Sequence, residues 1–194
     1  MAREPHRLPR ALPWLLLGGA AAGVSLWFNR DPDRTPPNGP GLILAPADGR
    51  VLAVEASEPP LWLPGPAWRI AIFLGPWDVH VQRAPVKGQV EFSQLQAGGH
   101  RLAFARQAAH NHGHWLGLNA GWGSVLLLRS AGVVARRVTT RVALGQEVDA
   151  GERIGRILLG SRAELYLPAA VRPLVRPGDL VRAGENVIAR RPED

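Results

Sequence analysis

Two patterns of apolar residues divide the chain. Residues 12–28 form an uninterrupted, uncharged stretch rich in glycine and alanine, with Trp14 and Trp27 near its two ends. Basic residues flank it on both sides, so we expect a helix that anchors the chain in a membrane, although 17 residues is the short limit for a spanning helix. A signal peptide or a re-entrant anchor is the alternative, but no clear small-residue cleavage site follows Phe28.

From residue 42 onward, short runs of β-branched and aliphatic residues alternate with Gly/Pro turns, which predicts a sheet-rich domain. The predicted strands cover residues 51–54, 69–74, 86–92, 124–128 and 133–140. Residues 94–109 are expected to be irregular or helical. The predicted organisation is a membrane anchor at 1–30, a Pro/Gly-rich linker at 31–41 and a catalytic β domain at 42–194.

An internal repeat is the strongest organisational signal in the β domain. GQEVDAGERI at 145–154 recurs as GDLVRAGENV at 178–187, and PADGRV at 46–51 recurs as PVKGQV at 85–90. Such short copies indicate one supersecondary unit present twice. The pairing resembles the barrel-sandwich hybrid of biotinyl and lipoyl carriers, so we expect a mainly β fold of that kind. The carriers present a modified lysine between the two halves, and this chain has none there, so the resemblance implies the scaffold alone.

Composition excludes several kinds of chemistry. The chain contains no cysteine, which rules out disulfides, zinc–thiolate sites and thiol nucleophiles. Its net charge of +7 comes almost entirely from scattered arginines, without a nucleic-acid-binding motif. Lys87 is the only lysine, and its Pro-Val-Lys-Gly turn is a poor place for the desolvated amine of a pyridoxal enzyme. Any Schiff-base chemistry therefore needs an electrophile from elsewhere in the chain.

The pair Gly160–Ser161 lies between the two long repeat copies, where it is by itself typical of a turn that joins two strands. Six stretches in order along most of the chain change this interpretation. The stretches are FNRDPDR at 28–34, APADGRV at 45–51, IAIFLGPWDVHVQRAPV at 70–86, SAGVVARRV at 130–138, GERIGRI at 151–157 and GSRAELYLP at 160–168. With them, the chain resembles the phosphatidylserine decarboxylases in their short bacterial and archaeal form.

The resemblance implies that the chain cleaves itself at the Gly160–Ser161 bond. Ser161 Oγ would attack the Gly160 carbonyl to form an ester, and β-elimination would release Gly160 as a carboxylate and leave dehydroalanine. Tautomerisation and hydrolysis would convert this residue to a pyruvoyl group with loss of ammonia. The products would be chains of residues 1–160 and 161–194. The pyruvoyl group derived from Ser161 would form a Schiff base with the substrate amine, so neither a metal nor pyridoxal phosphate is expected.

Asp48, in the PADG turn, and His80, in the sequence WDVHV, are candidates for activating the Ser161 hydroxyl. On residue type alone, Asp48 would be an Asx-turn residue before Gly49 and His80 an ordinary strand histidine. The resemblance implies that Asp48 acts in the acid–base step of cleavage and that His80 transfers protons in decarboxylation. Long relatives carry a second histidine where this chain has Arg83, so the cleavage base stays open between His80 and another group.

Three further residues are candidates for substrate binding. Strand alternation predicts that Asp78 shares a face with His80, where it would either orient the histidine or cap a turn. Arg136 and Arg137 are adjacent in a predicted strand, so at most one of them would face the site and bind a carboxylate or phosphate. A solvated charge at the sheet edge is the alternative for these arginines.

Two other groups of residues have a less specific interpretation. His110, His112 and His114 alternate, and in a strand they would share one face in a geometry that suits a metal. A polar loop is the alternative, and no metal site is predicted. The tryptophans beyond residue 41 are expected in packing, and some of them could dock the domain on a bilayer; they are Trp62, Trp68, Trp77, Trp115 and Trp122.

The sequence therefore favours a membrane-bound enzyme that converts phosphatidylserine to phosphatidylethanolamine. A pyruvoyl decarboxylase of a related serine lipid or a small amino acid is one alternative, and a non-catalytic, membrane-tethered barrel-sandwich adaptor is another. The expected partners are a phospholipid substrate, the cell membrane and the two cleavage fragments as a heterodimer. Larger oligomers are left open, and no nucleic acid is expected. The catalytic domain is expected on the cytoplasmic side of the cell membrane.

Overall fold

A computed structural model describes residues 12–59, 61–103, 110–132, 137–157 and 161–191. The chain divides into two compact units, residues 1–30 and residues 31–194. The uncharged stretch of the first unit forms a helix, α1 (Leu12–Phe28), whose apolar side chains from Trp14 to Trp27 are exposed. In the described ranges, no helix combines the length and the apolarity that a membrane span needs.

The second unit is mainly β, as the alternation of short apolar runs and turns predicts. Its strands are β1 (Leu42–Leu44), β2 (Gly49–Ser57), β3 (Ala67–Leu74), β4 (Val81–Arg83), β5 (Gly88–Gln96), β6 (Gly113–Asn119), β7 (Ser124–Ser130), β8 (Val138–Thr140), β9 (Glu147–Val148), β10 (Arg153–Ile157), β11 (Ser161–Pro168), β12 (Arg172–Pro173), β13 (Leu180–Val181) and β14 (Val187–Arg190).

The strands form one curled eight-stranded sheet and two three-stranded sheets. The order in the large sheet is β13-β2-β3-β11-β7-β6-β5-β9, and the small sheets are β1-β14-β12 and β4-β10-β8. All of these strand pairs are antiparallel. Strand β11 lies at the centre of the large sheet, paired along its full length with β3 and over five residues with β7.

The repeat in the sequence appears as two halves with the same backbone pairing. In the first half, β1, β2, β13 and β14 come together, and Gly49 pairs with Val181. In the second half, β4, β5, β9 and β10 do the same, and Gly88 pairs with Val148. Each half also closes an equivalent turn, since Gly184 N–H donates to Ala45 O and Gly151 N–H donates to Ala84 O, at 2.9 and 2.8 Å.

The two halves meet through a reciprocal pair of backbone hydrogen bonds. Leu44 N–H donates to Pro85 O at 2.8 Å, and Arg83 N–H donates to Pro46 O at 2.9 Å. Each of these bonds joins the short strand of one half to the P-x-x-G turn of the other. The duplication predicted from the repeat is therefore confirmed as an approximate two-fold arrangement of the backbone.

Several predicted strands have different bounds in the structure. Strand β5 begins at Gly88, because residues 85–87 form the turn before it, and it continues to Gln96 into the stretch predicted to be irregular or helical. Of the predicted strand 133–140, the described part forms only β8. Residues 104–109 and 133–136 lie outside the described residues.

Both faces of the large sheet are covered near its centre. The inner face carries the main core, which includes Ile72, Leu127, Leu165 and Ile154. A second apolar cluster covers the outer face; it comprises Leu63, Ala67, Trp115, Leu126, Leu128 and Tyr166. Because β11 lies between the two clusters, residues 161–167 are all buried, the polar ones included.

Candidate active site

Ser161 is the first residue of β11, and its side chain is completely buried. Strand alternation places it on the inner face with Ala163 and Leu165, which belong to the main core. Its Oγ has no hydrogen-bond partner among the residues that the structure describes. Ser130, at the end of β7, is a second buried serine of this kind, so burial without a partner does not by itself distinguish Ser161. Gly160, the predicted acyl side of the cleavage site, lies outside the described residues.

Several strands end or begin beside Ser161. Ser161 pairs with Leu74, the last residue of β3, and Arg162 pairs with Ser130, the last residue of β7. Ser130 pairs with the first residue of β6, and that residue pairs with Gln96 at the end of β5. We call this edge of the large sheet, with the segments 75–80, 97–103, 110–112, 131–132 and residue 137 that leave it, the site edge.

His80 lies on the site edge, immediately before β4, and only 1% of its surface is exposed. Its backbone carbonyl accepts hydrogen bonds from Ile157 N–H at 3.2 Å and from Gln82 Nε2 at 2.9 Å. Ile157 ends β10, and residues 158–160 join it to Ser161. The histidine backbone is therefore fastened to the segment that leads into the predicted cleavage site.

The ring of His80 is oriented by a backbone carbonyl. His80 Nδ1 lies 2.8 Å from Asp78 O. Because a carbonyl can only accept, Nδ1 carries the proton, and Nε2 is the nitrogen with the lone pair in the neutral ring. Such a ring can take up a proton at Nε2 and return it, as a general acid–base group does.

Asp78 contributes to this arrangement through its backbone, and its carboxylate caps a turn. Asp78 Oδ2 accepts from Gly75 N–H at 2.7 Å, while Asp78 N–H donates to Gly75 O at 3.2 Å. The prediction that Asp78 lies in a strand and shares a face with His80 is wrong, because the residue belongs to this tight turn. The Asp78 side chain was expected either to orient His80 or to cap a turn, and in the structure it caps the turn.

Asp48 is buried in the turn before β2, with its carboxylate fully engaged. Arg34 donates to both carboxylate oxygens, at 2.5 and 2.8 Å, and Ala183 N–H donates to Oδ1 at 2.8 Å. The hydrogen bond to Asp48 raises the pKa of Arg34 above its ordinary value. No described hydrogen bond joins Asp48 to His80 or Ser161. Asp48 thus connects the predicted linker to the chain segment that follows Ser161.

Arg83 stands where long relatives have a histidine. It is buried, and its side chain binds backbone carbonyls. It donates to Gly151 O and to Pro32 O, both at 2.9 Å. Burial lowers the pKa of its guanidinium, which nevertheless stays protonated in the neutral range. Arg83 and Asp48 therefore both hold residues of the segment 31–34 against the β domain.

A buried ionic cluster occupies the outer face of β11. Glu164 accepts from Arg69 Nε at 2.7 Å and from the Tyr166 hydroxyl at 2.9 Å, and it pairs with Arg162 Nε at 2.6 Å. Although burial opposes ionisation, the hydrogen bond from Arg69 and the charge of Arg162 hold the pKa of Glu164 below its ordinary value. Sequence reasoning missed this cluster, although Arg162 and Glu164 belong to the motif that begins at Gly160.

Arg129 is another buried cation, and all of its partners among the described residues are neutral. It donates to Thr139 O, to Thr140 Oγ1 and to His114 Nδ1, at 3.1, 2.6 and 2.7 Å. In the described part of the chain, no carboxylate pairs with it. Burial lowers the pKa of Arg129 to about 10, and burial together with the charge of Arg129 lowers the pKa of His114 to about 4.

The alternating histidines do not share the face of one strand. His110 is exposed and His112 half-buried in the segment before β6, whereas His114 lies in β6 and accepts from Arg129. Within the described ranges, no group of metal-ligating side chains is assembled. Arg137 is exposed just before β8, while Arg136 lies outside the described residues.

Comparison with known proteins decides the family. A family model described as phosphatidylserine decarboxylase matches residues 22–189. The chain belongs to this family. A phosphatidylserine decarboxylase proenzyme from Symbiobacterium thermophilum is 42% identical over 182 residues, which cover 91% of this chain and 85% of that relative. A proenzyme of the same name from Salinibacter ruber is 40% identical, with 93% of this chain and 81% of the relative covered.

A third relative has a different lipid in its name. A provisionally named archaetidylserine decarboxylase proenzyme from Halobacterium salinarum is 40% identical, over 94% of this chain and 89% of that relative. Its identity to this chain equals that of the relative from Salinibacter ruber. The family resemblance predicted from six motifs is therefore confirmed along most of the chain.

Proposed function

We propose that this chain is the proenzyme of a phosphatidylserine decarboxylase, cleaved by its own Ser161. The observation that carries the proposal is the completely buried Ser161 Oγ, which has no partner in the described part of the chain. It lies at the first position of the central strand, in the motif that the family resemblance identifies as the cleavage site. A hydroxyl kept free of other hydrogen bonds is available to attack the carbonyl of the preceding residue.

In the proposed cleavage, Ser161 Oγ loses its proton and bonds to the Gly160 carbonyl carbon, and the peptide nitrogen leaves to give an ester. Loss of the Ser161 α-proton then breaks the ester Cβ–O bond, so that Gly160 departs as a carboxylate. Glycine on the acyl side permits the strained backbone that brings the hydroxyl onto the carbonyl. Each step moves a proton, which requires a nearby acid–base group.

His80 is the proposed proton carrier of the site. Its Nδ1–H is held by Asp78 O, so Nε2 is the ring nitrogen that accepts and returns a proton. Its backbone is fastened to Ile157, four residues before Ser161 in the sequence. We assign His80 the protonation of the substrate α-carbon during decarboxylation, and we keep it as a candidate base for cleavage.

Ser161 also fits the prosthetic group of the proposed reaction. A pyruvoyl group made from this residue supplies a carbonyl that binds the substrate amine and withdraws electrons as carbon dioxide leaves. The residue lies in a water-excluded core position, where a carbonyl is protected from competing reactions. No metal or pyridoxal phosphate is part of the proposal, since the chain itself is the source of the electrophile.

Asp48 is proposed to belong to the acid–base set of the cleavage step. Its contacts with Arg34 and Ala183 support a positioning contribution, because they lock the turn before β2 against the segment that follows Ser161. Gly49, the next residue, lies directly against the backbone of Phe73 and Leu74, and Leu74 pairs with Ser161. The Asp48 turn thus supports the strand beside the reacting residue.

Positive charge near the site suits a substrate with a carboxylate and a phosphate. Arg136 and Arg137, which follow β7 in the sequence, are proposed as substrate-binding candidates, and Asp78 as a weaker one. Arg137 is exposed at the site edge, where it can meet an anionic head group. The carboxylate of Asp78 is already engaged by Gly75, which leaves it a smaller part in binding.

The two products of cleavage are proposed to remain together as a heterodimer. Residues 161–168 form the central strand between β3 and β7, and the last two short strands pair with β2 and β1. Arg69 and Glu164 join the two products by a buried ion pair. Because this pairing lies inside the core, a cut before Ser161 breaks one peptide bond without separating the sheet.

Helix α1 is proposed to hold the enzyme at the cell membrane, with the catalytic domain on the cytoplasmic side. Its exposed side chains are almost all apolar, and Trp14 and Trp27 lie near its ends, as in helices that contact a bilayer. The proposed scaffold of residues 42–194 is of the barrel-sandwich hybrid kind, which the paired halves support.

A related serine lipid is a second candidate substrate. The Halobacterium salinarum relative, whose name carries archaetidylserine, is as similar to this chain as relatives named for phosphatidylserine. The two lipids share the serine head group that meets Ser161 and differ in the apolar part. Turnover of each lipid by the purified enzyme, in the same vesicles, decides between them.

Intact mass of the purified protein tests the proposed function. Wild-type chain is expected to give two fragments, of which the smaller has 34 residues, begins at position 161 and is blocked to Edman degradation. Ser161→Ala is expected to stay as one chain of 194 residues and to release no carbon dioxide from phosphatidylserine.

Ser130→Ala is the matched control, since Ser130 is also fully buried and its Oγ also has no partner in the described ranges. It is expected to cleave like wild type. An uncleaved wild-type chain that decarboxylates phosphatidylserine would refute the proposal, as would cleavage of Ser161→Ala.

A further inference from the structure

The turn that precedes His80 carries a large apolar side chain into solvent. Trp77 is 74% exposed, although residues on both sides of its turn are packed into the fold. The turn is closed by the two hydrogen bonds between Gly75 and Asp78, so the backbone that presents the indole is well defined. A single exposed apolar residue is common on protein surfaces, so Trp77 indicates an interaction surface only together with its neighbours.

Other exposed apolar side chains lie at the same edge. Leu95, near the end of β5, is 66% exposed, and Leu102, in the segment after it, is 53% exposed. Strands β3 and β5 both end at the site edge, as does the pairing that contains Ser161. The exposed apolar groups therefore lie on the same edge of the sheet as Ser161.

The charge at this edge is almost entirely positive. Among residues 75–80, 97–103, 110–112, 131–132 and 137, Asp78 is the one acidic residue, and its carboxylate accepts from Gly75 N–H. His100, Arg101 and Arg137 are exposed there. Aromatic and aliphatic side chains mixed with arginine are typical of surfaces that lie in the head-group region of an anionic bilayer.

The geometry of the proposed reaction requires the same orientation. Ser161 is buried at the beginning of β11, and its partner Leu74 ends β3 at the site edge, so we infer that a head group approaches from this edge. A phospholipid head group is tied to the bilayer by its glycerol and acyl chains, and it cannot travel far into solution without extracting those chains. The edge at which Ser161 begins must therefore face the membrane during turnover.

We propose that the site edge docks on an anionic membrane surface, with the Trp77 indole inserted at the head-group level and Arg101 and Arg137 facing lipid phosphates. This inference rests on the proposed function, because it assumes a substrate held in a bilayer. The docked turn is three residues from His80 in the sequence, so membrane contact bears directly on the segment that carries the proposed proton donor.

The absence of cysteine from the sequence permits an unambiguous test in the full-length, processed enzyme. Trp77→Cys, labelled with the environment-sensitive fluorophore NBD, is mixed with phosphatidylcholine vesicles that contain phosphatidylglycerol and no phosphatidylserine. The matched control is Leu144→Cys, since Leu144 is 67% exposed. Leu144 is also remote from the site edge. Its neighbour Gly145 donates a hydrogen bond to Val90 O of β5, and Val90 lies six residues before Gln96, where β5 reaches the site edge. Six residues of strand span about 20 Å.

The label at position 77 is expected to shift its emission to shorter wavelength and to be quenched by lipids with a nitroxide in the head group. The label at position 144 is expected to show neither change, although both proteins sediment with the vesicles. Pure phosphatidylcholine vesicles are expected to give a smaller shift, because they lack the anionic partner. A label at position 77 that stays in water on sedimented vesicles would overturn the docking inference.

A second measurement separates docking from chemistry. Trp77→Ala is assayed on phosphatidylserine in vesicles and on short-chain phosphatidylserine dispersed below its micelle concentration. The ratio of vesicle to dispersed activity is expected to fall about fivefold relative to wild type, through KM for the vesicle substrate. An unchanged ratio contradicts docking through Trp77. Wild-type enzyme inactive on both substrates would contradict the proposed function, while the fluorescence result would still decide the docking.

Discussion

The two halves of the β domain share one backbone arrangement and differ in the side chains placed on it. Asp48 occupies the third position of the P-x-x-G turn in the first half, and Lys87 occupies the same position in the second. Asp48 is buried and bound by Arg34, whereas the Lys87 side chain is 72% exposed and pairs with an exposed Asp149. Just before the short strand, the second half has His80 where the first half has Gly41.

This difference shows that duplication of a backbone does not duplicate a site. Each half supplies one proposed catalytic side chain, and the equivalent position of the other half holds a residue that cannot replace it. The distinction comes from surroundings outside the repeat. Arg34, which lies before the first copy, covers Asp48, and the turn containing Asp78 orients His80. The predictions below test whether the two halves differ in this way.

The largest expected effect is on the catalytic side chain of the second half. His80→Gln is expected to lower decarboxylation about 10²- to 10⁴-fold, because the site loses its proton carrier. Cleavage at residue 161, followed by intact mass, is expected to persist if another group is the cleavage base. His110→Gln, an exposed histidine of the same edge, is the control and should keep wild-type turnover. Wild-type activity of His80→Gln would remove His80 from the mechanism.

Gly49 and Gly88 occupy equivalent turns of the two halves, and we expect alanine to be less tolerated at Gly49. A Cβ at Gly49 would overlap Phe73 O, and this glycine has a φ of +138° that other residues rarely adopt. A Cβ at Gly88 would meet Asn119 O less severely, without a positive φ. Urea unfolding is expected to show a loss of about 4 kcal/mol for Gly49→Ala and about 2 kcal/mol for Gly88→Ala. Equal losses would show that the two turns are under the same constraint.

The next largest effect is expected at the equivalent charged residues, Asp48 and Lys87, whose replacement should change stability by different amounts. Asp48→Asn leaves the Arg34 guanidinium buried without a counter-charge, so it is expected to cost about 3 kcal/mol of unfolding free energy and to slow fragment formation. Lys87→Gln removes an exposed pair and is expected to change stability by less than about 0.5 kcal/mol. Chemical denaturation and the time course of cleavage measure both variants. Similar results for the two would contradict the proposed asymmetry between the halves.

The smallest expected effect is a pH dependence confined to the second half. Arg129 binds β10 through Ile154 O and holds His114, whose folded pKa of about 4 is below the ordinary 6.5. Folding therefore favours neutral His114, so its stabilising contribution is complete above pH 6.5 and is lost as the pH falls towards 4. The protection factors of β10 amides, which correct the hydrogen-exchange rate for its intrinsic pH dependence, are expected to fall over this range before those of β14 amides.

His114→Asn is the control for this pH effect, because an amide in place of the imidazole does not titrate. The variant is expected to show the same relative exchange of β10 and β14 at pH 7 and pH 4.5, within about a factor of two. If the protection factors of wild-type β10 and β14 decrease together as the pH falls, the second half has no separate response to acid.

Much of the fold could be predicted from the sequence, because its determinants are local. The glycines of the repeat recur at fixed spacing, and Gly145, Gly151, Gly178 and Gly184 all have positive φ in the structure. The apolar runs between them become strands on a shared core. The bounds of β5 were less predictable. The polar residues Gln94 and Gln96 belong to this strand because they pair with β6, and local sequence does not reveal that pairing.

For the candidate site, the reacting residues could be predicted from the sequence, whereas their partners could not. Ser161, His80 and Asp48 could be named from motifs, and all three are buried in the structure. The partners could not be named, because Arg34, Ala183 and the Asp78 carbonyl come from other segments and meet these residues only after folding. The buried pairs Arg69–Glu164 and Arg129–His114 were missed for the same reason.

By itself, the sequence determined the family, the duplicated β scaffold and the serine on which the proposed chemistry depends. These follow from residue types at fixed spacing, which act over one turn or one strand. Only the tertiary structure decided that Asp48 is a clamped carboxylate and that Asp78 orients His80 through its backbone. It also decided that the edge holding Ser161 carries an exposed tryptophan among basic residues. These features depend on pairing between distant strands, where burial and hydrogen-bond geometry determine what a side chain can do.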